Sequence, residues 1–126
     1  MLATGLSVVL IAAVVMRAAV NRSEVSRRRE VLLATLDRLS EAQEDALARD
    51  GRYAAHLGQF GGMDTARFVV PPGISLTFEF FGGTAWRAVV RDSALRVGPR
   101  SCGLFRGETD ASPHRAVVSP GIPACW

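Results

Sequence analysis

The sequence predicts an α+β protein, in which a long N-terminal α-helix with a membrane-spanning half and an amphipathic half packs on a small antiparallel β-sheet. Three observations predict it. Met1 to Met16 carries no charge, and apolar character continues past a lone Arg17 to Val20. No helix breaker interrupts Leu6 to Asp50, where Val25, Leu32, Leu36, Leu39 and Ala46 fall on a 3.6-residue stripe. Beyond Gly61-Gly62 the apolar period changes to two.

Residues 1–20 form the first segment. As a helix they extend about 30 Å, close to the hydrocarbon thickness of a bilayer. The expected membrane or filament-core residues are Met1, Leu2, Leu6, Val8, Val9, Leu10, Ile11, Val14, Val15 and Met16. A secretory signal opens with a basic region, and none precedes this run. The arginines at 22 and 27–29 would hold the following residues in the cytoplasm by the positive-inside rule. A cysteine pair further on asks for an oxidising compartment. The two demands agree if a short basic leader has been removed ahead of Met1, leaving the C-terminal region exported. Ala12, Ala13, Ala18 and Ala19 would let helices approach closely, or simply fill a membrane helix.

Residues 21–50 continue the helix with an amphipathic pattern. Leu32, Leu36 and Leu39 are the expected packing face, while Arg38, Glu41, Glu44 and Asp45 lie off it. Glu24–Arg28 and Asp45–Arg49 are spaced as favourable i,i+4 pairs. Asp50-Gly51 is the stop, with Gly51 as a left-handed cap. Arg27, Arg28 and Arg29 read as a solvated or headgroup-level face. They are also candidate inter-subunit charges, opposite Glu41, Glu44 or Asp45 of a neighbouring copy.

Residues 51–66 read as a connector, with Tyr53, Leu57 and Phe60 tucked against the helix. Residues 67–126 then form the sheet and a C-terminal loop. Ile74, Leu76, Phe78 and Phe80 alternate with polar residues, and Trp86, Ala88 and Val90 do the same. A three-residue loop, Phe81-Gly82-Gly83, would pair Phe78 with Trp86 and Thr77 with Arg87, with Gly83 left-handed. Phe78 and Trp86 would then meet the leucine stripe. Shorter strands are expected around Cys102–Arg106 and Arg115–Val118, with prolines confining strands to the gaps. The polar loop from Gly107 to Pro123 is the expected outer surface.

Composition narrows the function classes. All fifteen basic residues are arginine and the net charge is +3. Seven arginines balance seven acids in residues 1–50, and no basic stripe with interleaved aromatics follows, so nucleic-acid binding is not predicted. His56 and His114 stand apart from any nucleophile or acid pair of recognisable spacing, and no phosphate-binding glycine loop occurs. No enzyme activity, metal or cofactor is expected. Cys102 and Cys125 enclose 22 residues without metal-site spacing. They are either two buried thiols or a disulfide. Small size, export and the Pro/Gly/Ser-rich loop between them favour the disulfide, which is worth about 3 kcal/mol.

In order and spacing these features resemble the type IV pilin and pseudopilin family over nearly the whole chain. The apolar start looks like a mature pilin after leader removal. Asp50-Gly51-Arg52-Tyr53-Ala54 is similar to the turn that ends the pilin helix. Thr84 to Val90 matches the tryptophan strand, and Cys102 to Cys125, with the ending Ala124-Cys125-Trp126, matches the terminal disulfide region. Gly5 stands where most members carry a glutamate, and no acid precedes Glu24. This departure points to a minor or tip-like subunit, another assembly contact, or a different mature start.

The resemblance implies a structural subunit of a type IV pilus-like filament. Its partners would be copies of itself or other pilin-like subunits, the membrane before assembly, and the assembly machinery. It would reside in the inner membrane and then in an extracellular filament. Two alternatives are a minor pseudopilin of a type II secretion system, in a periplasmic pseudopilus, and a non-polymerising single-pass membrane protein with a small exported binding domain.

Overall fold

The structure is a computed structural model that describes residues 2–126, with side chains described at 12, 14–16 and from 22 onward. Helix α1 (Leu2–Asp50) is followed by strands β1 (His56–Gly58), β2 (Thr65–Arg67), β3 (Ile74–Phe80), β4 (Trp86–Asp92), β5 (Ser101–Arg106) and β6 (Ala124–Cys125), with a 3₁₀ turn at Thr109–Ala111. The strands form two sheets. One is a parallel pair, β1-β2, and the other is antiparallel in the order β3-β4-β5-β6.

The expected fold class requires correction. Among the described residues no helix is long and apolar enough to cross a membrane. The helical stretch with continuously described side chains is residues 22–50, about 29 residues. Charged side chains recur through it, from Arg22 to Asp50, and exclude it from hydrocarbon. Met1 lies outside the described residues, as do the side chains of Leu2, Leu6, Val8, Val9, Leu10 and Ile11. Val14, Val15 and Met16 are exposed.

The 22–50 stretch buries one face. Leu32, Leu36 and Leu39 are fully buried in a cluster with Trp86, Ala88, Val90, Leu95, Cys102 and Leu104, and Phe78 packs partly buried against it. Phe78 and Tyr53 both lean on the Trp86 ring, at centroid distances of 6.0 and 6.2 Å. Thr35 and Gln43 lie on the same buried face, where pattern reading sees only gaps between leucines. The Thr35 hydroxyl donates to the Val31 carbonyl one turn back, at 2.7 Å. Gly51 ends the helix at φ 74°, its N–H donating to the Leu47 carbonyl.

The connector carries structure that the sequence reading lacked. β1 and β2 run parallel across a short link, which needs an abrupt reversal. Gly61, Gly62 and Asp64 supply it with φ of 70°, 126° and 57°. The Asp64 carboxylate and carbonyl accept from the Ala55 and His56 N–H groups and hold the loop shut. Leu57 packs partly buried, but Phe60 is 87% exposed and does not tuck against the helix.

The β3–β4 register differs from expectation by two residues. Phe80 faces Trp86, Phe78 faces Ala88 and Glu79 faces Arg87. The connection is therefore five residues, Phe81–Ala85, closed by Ala85 N–H to the Gly82 carbonyl and Phe81 N–H to the Ala85 carbonyl. The left-handed glycine is Gly82, at φ 111°. A shift of two preserves the faces. It also brings Arg87 to Glu79 at 2.8 Å and over the Phe81 ring, contacts that Thr77 could not provide. Arg115–Val118 is not a strand. The Ser112 hydroxyl lies 2.8 and 2.6 Å from the His114 and Val117 carbonyls, with one proton to share between them, and the Val117 N–H donates to the His114 carbonyl, so this backbone is held locally. Ala124–Cys125 pairs with β5 instead.

Candidate assembly surface

Burial of one face of α1 leaves the opposite face outward. Arg27, Glu30, Val31, Ala34, Asp37, Arg38, Glu41, Asp45 and Ala48 are exposed there. Charge is polarised along this stretch. Residues 22–29 hold four arginines against Glu24, and residues 37–45 hold four acids against Arg38. The centres of the two groups lie about 24 Å apart at 1.5 Å per residue.

The six charges expected to act between subunits are not equivalent. Arg27 is free apart from Glu24 at 4.0 Å. Arg28 is engaged within the chain, reaching Asp92 at 3.2 Å and Glu24 at 3.3 Å. The hydrogen bond and charge of Asp92, then the hydrogen bond to Glu24, raise the Arg28 pKa above its ordinary value. Asp92 is itself buried, and also accepts the Ala94 N–H, so this pair ties the helix to the end of β4. The Glu44 carboxylate accepts the Tyr53 hydroxyl at 3.0 Å and lies 3.5 Å from Arg106 Nε, an ion pair without hydrogen-bond geometry. Glu41 and Asp45 remain outward. They line an open cleft of about 540 Å³ with Arg38, Arg49, Arg67 and Phe68. Arg49 does not turn to Asp45 as its spacing suggests. It bonds Asp50 at 2.8 Å and the Gly62 and Thr65 carbonyls, bracing the helix end against the β1–β2 loop. The hydrogen bond from Arg49 lowers the Asp50 pKa.

At the far end of the sheet, Cys102 and Cys125 form a disulfide. It joins the paired residues of β5 and β6. The loop from Gly107 to Pro123 has a small core of its own, in which Phe105, Ala111 and Val117 are buried and Trp126 packs alongside. His114 stacks on Trp126 at 4.3 Å with the rings parallel within 2°. Its Nδ1 accepts the Ala116 N–H. Val118 and Ile122 are exposed on the outer side. The other histidine, His56, is exposed at the start of β1.

Among the described residues no group of three or more His, Cys, Asp or Glu side chains could hold a metal ion. The surface cleft joins the Glu41 and Asp45 carboxylates to the Arg38, Arg49 and Arg67 guanidiniums. The residue types of Thr35 and Gln43 conceal their burial, and the Asp92–Arg28 tie joins residues remote in sequence. The only signal for the first two is their heptad-like spacing among the buried leucines. No protein-family model, curated protein or solved structure matches the chain.

Proposed function

We propose that this chain is a structural subunit of a type IV pilus-like filament, with copies of itself or related subunits as partners. It would be exported from the cytoplasmic membrane and assembled through its apolar N-terminal sequence, Met1 to Val20. The observation that carries the reading is the division of α1. One face of residues 22–50 is sealed by the sheet, while the other presents separated basic and acidic groups to solvent. A stagger of about 24 Å between parallel copies would bring Arg27 of one beside Glu41 and Asp45 of the next. The disulfide fits an exported domain, since such bonds persist in oxidising compartments. The resemblance in Asp50–Ala54, in Thr84–Val90 and around Cys125 supports the same reading.

The test is assembly of the full chain in its native cells, followed by electron microscopy of the sheared fraction. Filaments containing the protein are expected. Arg27→Glu and Glu41→Arg should each reduce their yield, and the pair together should restore part of it. A chain that stays monomeric and cell-bound under every condition, or reversals that leave filament yield unchanged, would overturn the reading.

A further inference from the structure

On the turns of α1 where continuously described side chains begin, two arginines lack the partners their neighbours have. Arg22, Ser26 and Arg29 are spaced by four and three residues and so share one helix face. Together with Val25, Val97 and Gly98 they line an open cavity of about 480 Å³, between the helix and the loop that follows β4. Arg27 and Arg28 are near Glu24, and Arg28 also reaches Asp92. Arg22 and Arg29 form no ion pair among the described residues. No acid occurs anywhere in the chain before Glu24.

Arg29 Nε is buried and has no acceptor among the described residues. A charged donor withdrawn from water without an acceptor is unfavourable, which favours a small turn of the guanidinium that brings Nε to an anion in the cavity. Backbone geometry keeps the site open. Gly98 has φ 72°, and a Cβ there would stand 2.9 Å from Arg29 Nη2, so the glycine makes room for the guanidinium. Two guanidinium forks and one hydroxyl lining one cavity offer donors suited to the oxygens of a tetrahedral oxyanion.

The walls indicate which oxyanion. Val97 is 69% exposed at the rim, beside half-buried Val25 and Pro99. A free phosphate would leave this apolar rim in water, whereas the glycerol and first methylenes of a lipid would cover it. The upstream sequence on the same helix, Leu6 to Met16, is apolar and uncharged.

We propose that Arg22, Ser26 and Arg29 form a binding site for the phosphodiester headgroup of an anionic phospholipid, with Val25 and Val97 against the glycerol–acyl boundary. This goes beyond the filament reading, and a chain that never polymerises would carry the site all the same.

The test uses the oxidised full chain in micelles of an uncharged detergent, read by the NMR signal of the Arg29 Nε–H. Short-chain phosphatidylglycerol, short-chain phosphatidylcholine and inorganic phosphate are titrated separately. Phosphatidylglycerol should give a saturable shift with affinity at least about tenfold above the other two, because the ammonium of phosphatidylcholine cancels its phosphodiester charge and inorganic phosphate leaves the apolar rim in water. Arg22→Gln should weaken this by about tenfold, whereas Arg27→Gln, which removes the same charge outside the cavity, should change it by no more than about twofold. In Arg29→Gln and Arg29→Lys the Ser26 amide replaces the Nε–H as reporter. The lysine should recover only part of the binding lost in the glutamine variant, because it lacks the fork. Circular dichroism checks that each variant is folded. Equal affinity for phosphatidylcholine, equal affinity for inorganic phosphate, or an Arg27→Gln loss as large as that of Arg22→Gln would each overturn the assignment.

Discussion

The side-chain amide of Gln43 forms two hydrogen bonds with the backbone of Ala54. Its Nε2 donates to the Ala54 carbonyl at 2.9 Å, and its Oε1 accepts the Ala54 N–H at 2.8 Å. Both residues are buried. The first residues after the helix are thereby pinned to its last turns, which fixes the entry into β1. Gln43→Ala removes both partners from a buried peptide group and opens a gap, so it should cost about 2–4 kcal/mol. Gln43→Glu keeps the shape but sets an acceptor against the Ala54 carbonyl, and should cost a similar amount at neutral pH. Urea unfolding measures both. A loss below about 0.5 kcal/mol for the alanine variant, the range of ordinary surface substitutions, would contradict the clamp.

Tyr53 provides a pH-dependent readout of the same junction. Burial, and then its hydrogen bond to Glu44, raise its pKa above the ordinary 10.0. The folded-state pKa therefore lies above the unfolded one. The stability it contributes is complete below pH 10.0 and is lost as pH rises through the higher folded value. Tyr53 is the chain's one tyrosine, so tyrosinate absorbance reports it alone. Its midpoint should exceed 10.0 in the folded protein and return to that value in urea. Glu44→Gln should lower the folded midpoint only in part, because burial is the larger cause.

Cys102 and Cys125 close a loop at a sequence separation of 23. Beyond that bond, β6 is held to β5 by two paired positions and by the backbone bonds of the adjoining Trp126 to Arg100 and Ser101. Cys102→Ser/Cys125→Ser should lose about 3 kcal/mol, which for a domain near 100 residues is a fall in Tm on the order of 10–20 °C. Calorimetry of oxidised and reduced protein gives the same comparison without mutation. Ala111 and Val117 are buried within the loop, so loosening it should uncover them beside the already exposed Val118 and Ile122, and the reduced form should associate more readily at high concentration.

Much of the core was legible because period alone carries it. Leu32, Leu36, Leu39, Trp86, Ala88 and Val90 alternate or repeat as buried faces must, and the structure buries all six. Register was less legible. Parity separates the faces of β3 and β4, but it cannot tell one pairing from another two residues away. The choice was made by Glu79 opposite Arg87 and by the turn at Gly82–Ala85. The parallel β1–β2 pair is built from three-residue strands and a left-handed Asp64, which lack any periodic signal. For the surface charges, residue type gave position but not engagement. Arg28 and Glu44 are occupied by Asp92, Tyr53 and Arg106, residues remote in sequence, while Arg22 and Arg29 are left without an ion partner among the described residues.

Gly103, in the middle of β5, is buried beneath the C-terminal residue. A Cβ there would lie 2.8 Å from Trp126 Cη2 and 2.9 Å from Pro113 Cγ. The indole cannot easily swing away. The Trp126 backbone exchanges hydrogen bonds with Ser101 and accepts one from Arg100, and its ring is stacked on His114. Gly103→Ala should therefore destabilise by about 1–3 kcal/mol through overpacking. Trp126→Ala alone should also destabilise, by uncovering Gly103 and His114. Combined, the two losses should be less than additive, because the alanine methyl would occupy space the indole has vacated, with a coupling of about 0.5–3 kcal/mol. A double-mutant cycle in urea measures it. Strict additivity would show that the indole yields to the new methyl without cost, and that Gly103 is not what seats the C-terminus on the sheet.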